Sequence, residues 1–138
     1  MKQRIALLLA AVLLLALCAC SSKPSEDVVF QNDLPTVVHS LYISPVTEEE
    51  WADPVNYARL SPGSSIHIDF ERFAGDGAEY DIGVVDENNM NYDVYNVPLA
   101  IGDKLALSAD GETAILTVTS ADGSSTETYE GYVYEGEG

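Results

Sequence analysis

Positive charge is the scarcest resource in this chain: six Lys and Arg stand against 23 Asp and Glu, a formal net charge of -17. Lys2 and Arg4 open the sequence, so only Lys23, Arg59, Arg72 and Lys104 serve everything after Cys20. Nucleic-acid binding draws on Lys and Arg to displace phosphate counterions, and this balance excludes nucleic acid as a partner. Such acidity instead keeps an exported domain soluble and dispersed. Cysteine is nearly absent: Cys18 and Cys20 are the only two, one residue apart in "ALLLALCACSSKPSED". A lone C-x-C has no second pair to complete a zinc site. Histidine is limited to His39 and His67, and there is no G-x-S-x-G elbow. Nucleophilic catalysis needs a base beside a nucleophile, so an enzyme is not expected.

What is present begins with the basic start "MKQR" and an apolar run from Ile5 to Ala19. That run falls short of the roughly 20 residues of a spanning helix and has the layout of an export signal. The following "LCAC" resembles the bacterial lipobox, in which a small residue precedes the cysteine that receives diacylglycerol. Ala19 before Cys20 fits that pattern, whereas Leu17 before Cys18 does not. The resemblance implies that residues 1–19 are a lipoprotein signal peptide, that Cys20 carries the lipid, and that the protein sits extracytoplasmically on a bacterial membrane. Residues 20–27 form a short tether, which at about 3.3 Å per extended residue holds the remainder within about 25 Å of the bilayer. Residues 28–138 are long enough for one domain.

From Val28 onward the apolar pattern has period two, broken by turn residues. "VVHSLYIS" alternates Val37, His39, Leu41 and Ile43, which predicts a partly buried His39. "SIHIDF" sets Ile66, Ile68 and Phe70 on one face, and "EYDIGVVD" does the same with Tyr80, Ile82 and Val84. "KLALS", "TAILTVT" and "TETYEGYVY" read as a meander with turns at Asp110-Gly111 and Asp122-Gly123. Seven or eight such strands predict an all-β fold, an antiparallel β-sandwich. One short helical turn is expected near 47–52, where Thr47 and Glu50 have capping-box spacing.

The series "LYISP" at 41–45, Trp51, "LSPG" at 60–63 and "YDIGVVD" at 80–86 resembles a group of small bacterial exported domains. Its members carry LY-x-SP, a Trp, L-x-PG and YDI-x-VVD in that order. Here "ADPVN" follows the Trp where relatives have Gly and acidic residues, and Gly83 stands where they often have Arg. The resemblance implies export and fold, and brings no catalytic residues.

Two sets of side chains are candidates for binding. In "DENNMNYD" the oxygen-bearing Asp86, Asn88, Asn91 and Asp93 suit weak calcium binding, the one cofactor the sequence suggests, although Met90 and Asn91 depart from the EF-hand pattern. His67, Asp69 and Glu71 in "HIDFE" share a strand face that reads as solvated surface. Trp51 and Tyr57, or Tyr132 and Tyr134, are placed to stack on a sugar or peptide. The expected function is therefore non-catalytic: an anchored binding or envelope-structural module with a protein or glycan partner, or a calcium- or carbohydrate-binding surface, with a small hydrolase as the last-ranked alternative.

Overall fold

The structure is a computed structural model that describes residues 27–70 and 79–137. The predicted signal segment, Cys20 and all but the last residue of the tether lie outside the described residues. Alternating burial builds eight strands: β1 (Asp27–Asn32), β2 (Val38–Pro45), β3 (Ser65–Asp69), β4 (Glu79–Asp86), β5 (Met90–Pro98), β6 (Lys104–Asp110), β7 (Thr113–Thr119) and β8 (Thr126–Glu135).

The all-β class follows the sequence pattern, but the strands do not separate into two facing sheets. They join in one sheet of order β2-β4-β5-β8-β7-β6-β1-β3, curled into a half-barrel. Two strands prevent a break. β1 bonds β3 antiparallel on one edge and β6 parallel on the other, which makes the sheet mixed. β8 pairs with β7 along Thr126–Tyr132 and with β5 along Tyr132–Glu135.

Curling turns one face inward. Val28, Phe30, Leu41, Ile43, Ile82, Val84, Val94, Leu105, Leu107 and Leu116 meet there in a single core, each essentially removed from solvent. Each such side chain contributes about 1.5–3 kcal/mol relative to exposure. The β6–β7 and β7–β8 hairpins turn where the two Asp-Gly pairs stand.

Two local expectations are corrected. A bulge between Val38 and Ser40 shifts the register of β2, so Val38 and Leu41 both face the core and His39 is exposed. The helical turn at 47–52 does not form either. Ala52 N–H donates instead to Ser44 Oγ of β2 at 2.8 Å, and just beyond the segment Val55 N–H donates to Leu41 O at 2.8 Å. Val38 and Leu60 then exchange both backbone bonds as an isolated bridge. Between these points Asn56 imitates a strand residue, accepting from Leu41 N–H at 2.8 Å and donating to His39 O at 2.9 Å. The irregular segment thus covers the free edge of β2, which would otherwise present an unpaired ladder.

Asn32 is the other organising polar group. It is fully buried, donates to Thr36 O and Leu60 O, and accepts from Leu34 N–H, tying the loops on either side of β2 to the end of β1.

Candidate functional site

On the outer face the register sets Tyr42 of β2, Gly83 of β4, Asp93 of β5 and Tyr132 of β8 in one row across four strands. The adjacent row runs Ser40, Val85, Asn91 and Tyr134. Period-two alternation alone sends these side chains outward, since their neighbours Leu41, Ile82, Val84, Tyr92 and Val133 turn inward.

Gly83 leaves a gap in the middle of the row, and Trp51 fills one side of it. The Ser44–Ala52 hydrogen bond brings the loop over β2, and the six-membered ring of the indole rests above Gly83. A Cβ on residue 83 would stand 3.1 Å from Trp51 Cη2 and 3.3 Å from Cζ3, so the ring's seat depends on glycine. Trp51 meets Tyr42 at 6.1 Å between ring centroids and Tyr95 at 6.4 Å, and Tyr95 meets Tyr132 at 6.4 Å. The rings are tilted by 35–55°, giving a splayed aromatic wall rather than a flat stack. Contacts of this kind add about 0.5–1.5 kcal/mol each beyond area burial.

Tyr95 owes its place to a second bulge. Tyr80 pairs Val97 while Ile82 pairs Val94, so two β5 residues oppose Asp81 alone. Asn96 takes φ 57° and its N–H bonds Asp81 Oδ1 at 3.0 Å. The extra residue keeps both Val94 and Val97 in the core while Tyr95 points out beside Trp51.

Beneath the rings lies a hollow of about 270 Å³, lined by Tyr42, Trp51, Gly83, Val84, Val85, Asn91, Asp93 and Tyr134. Asp93 is 4% exposed. Its Oδ2 accepts the Tyr95 hydroxyl at 3.0 Å and also the Tyr134 hydroxyl. Oδ1 stands 3.3 Å from the position of a Gly83 Cβ, on the side of the hollow, and carries no hydrogen bond among the described residues. Burial first, then the bond to Asp93 and the fields of Asp93 and Asp81, push the Tyr95 phenol up to about 12. The bond to Asp93 first, then burial, raises Tyr134 as well.

The two predicted aromatic sets are therefore partly merged. Trp51 joins the face that carries Tyr132 and Tyr134, whereas Tyr57, 91% exposed, does not line the hollow. The four oxygen ligands suggested for calcium are divided. Asp93 and Asn91 belong to the outer face, but Asp86 is buried at the inner end of β4. Asp86 Oδ1 accepts Asn88 and Met90 N–H, and Oδ2 accepts the Thr36 and Tyr92 hydroxyls. Four donors occupy a carboxylate's lone-pair directions and leave none aimed at a cation. Among the described residues no group of three or more His, Cys, Asp or Glu side chains is arranged to hold a metal. His67, 67% exposed, lies 3.8 Å from Asp27.

Sequence reasoning missed Tyr42, Gly83 and Tyr95 as site residues. The available signal was Gly83 itself, since a glycine inside an apolar strand marks a close approach by something else. Comparison with protein-family models, with curated proteins and with solved structures gives no match.

Proposed function

We propose that this chain is a lipid-anchored, extracytoplasmic binding module that works without catalysis, and that its outer face takes carbohydrate. The observation that carries the carbohydrate reading is the row Tyr42–Gly83–Asp93–Tyr132 with Trp51 seated over the glycine. Sugar rings present apolar C–H faces that stack on aromatic rings and hydroxyls that need fixed acceptors. The aromatic wall supplies the first, and Asp93 Oδ1 with the Asn91 amide supplies the second. A hollow of about 270 Å³ lies just under the roughly 300–1,000 Å³ of sites for drug-sized ligands, which suits one sugar ring. The rest of an oligomer would run over Tyr95 and Tyr132, 44% and 65% exposed.

Trp51 is the only tryptophan, so its fluorescence reports directly on the site. Titration of the full chain in nonionic detergent with hexose and hexosamine tetramers is expected to give a saturable change in emission with at least one of them. By calorimetry, Trp51→Ala is expected to weaken that binding at least about ten-fold. If no member of the panel perturbs Trp51 at millimolar concentration, the carbohydrate reading fails.

Support for the anchor comes from the order of basic start, apolar run and "LCAC" ending at Cys20. Cys20→Ala is expected to abolish incorporation of radiolabelled palmitate and to release the protein from membranes. Persistent label in that variant would remove the anchor from the proposal.

A further inference from the structure

We infer that the site selects a glycan bearing a free, protonated amine, an amino sugar without its acetyl group, over the neutral N-acetylated form. This rests on the carbohydrate reading of the same face and names its ligand class. Three features on the outer face carry it.

The first is Asp93 Oδ1. A carboxylate 4% exposed has lost most of its water, and here one oxygen takes two hydroxyl donors while the other, on the Gly83 side of the hollow, has no bond among the described residues. A neutral hydroxyl can satisfy that oxygen, but a charge-assisted bond from an ammonium is roughly twice as strong. The second is the aromatic wall. The faces of Trp and Tyr rings attract cations within about 6 Å, so a sugar ammonium gains from Trp51 and Tyr42 as well as from the carboxylate. The third is the surrounding charge. No lysine or arginine lines the hollow, and the chain's formal charge of -17 repels anionic glycans while attracting cationic ones.

Calorimetry with the full chain in nonionic detergent tests the inference, at a pH where the sugar amine carries its proton. The probes are the glucosamine tetramer, the N-acetylglucosamine tetramer and tetralysine. Near-physiological salt screens the diffuse field of the polyanion beyond about 8 Å, leaving the local contacts. The glucosamine tetramer is expected to bind about ten-fold tighter than the N-acetylated one. Asp93→Asn is expected to bring that ratio close to one, and Trp51→Ala to weaken the glucosamine tetramer. Equal affinity of the two sugars for the unmodified chain overturns the amine preference and leaves the carbohydrate site standing. Binding of neither sugar overturns the amine preference, and the carbohydrate reading falls with it only if the hexose tetramer also leaves Trp51 emission unchanged. Tetralysine binding as tightly as the glucosamine tetramer, or glucosamine binding that survives Trp51→Ala, shows capture by charge alone and also overturns it. The wild-type comparison decides even if Asp93→Asn fails to fold.

Discussion

Two of the buried aspartates, Asp86 and Asp93, differ by what surrounds them. Asp86 is pushed up by burial, but the N–H groups of Met90 and Asn88 and the hydroxyls of Thr36 and Tyr92 outweigh that, and its pKa lies below the ordinary 3.8. The fold therefore holds the ionised form more tightly than the unfolded chain does. Its contribution is complete above roughly pH 5 and is lost as pH falls through the depressed value. Urea midpoints measured from neutral pH downward should fall in this range, and Asp86→Asn should flatten that limb while lowering stability at neutral pH. An unchanged acid limb would show that the turn after β4 does not depend on the charge. Asp93 lies on the other face and keeps one oxygen toward the hollow. The sequence "DENNMNYD" groups the two within eight positions and gives no sign of that division. Which face each occupies depends on a turn geometry set by Asp86's own hydrogen bonds.

At the scale of elements, the period-two signal is strong wherever strands are regular. "TAILTVT" alternates without fault, and β7 buries Ala114, Leu116 and Val118 accordingly. It fails at bulges, because one inserted residue reverses the faces that follow. His39 at the bulge of β2 is exposed for that reason, and Tyr95 reaches Trp51 through the bulge opposite Asp81. Pairing of distant strands was also hidden: nothing local joins β8 to β5. That junction is tight. A Cβ on Gly131 would overlap the Asp93 carbonyl oxygen, and it would stand 2.8 Å from the Asp93 carbon and 2.9 Å from Val94 Cα. Gly131→Ala must push β5 away from β8, and its cost should be about 2–3 kcal/mol, within the range of overpacked sites. Denaturant unfolding checks this, and a loss below about 0.5 kcal/mol, the scatter of ordinary surface changes, would show that the strands part easily. Because Asp93 forms the contact, the same variant should disturb the Trp51 emission.

For the whole molecule, the governing quantity is the -17 charge. Self-repulsion destabilises a compact polyanion and salt screens it, so the melting temperature should rise as NaCl goes from about 0.01 to 0.15 M. Calcium and magnesium at matched concentration should act alike, since Asp86 has no lone pair to spare. A rise specific to calcium would reveal an ordered carboxylate site. Composition made the acidity legible and the period-two pattern the β class, but neither could indicate that one loop crosses an edge strand to set its tryptophan on a glycine of the next strand.

That glycine has an evolutionary consequence. Every glycine codon becomes an arginine codon by a single base change. An arginine there would displace the Trp51 ring, fill the hollow and neutralise Asp93, while the inward-facing residues of β4 stayed as they are. The proposed binding face can thus be closed in one mutational step that leaves the core of the sheet in place.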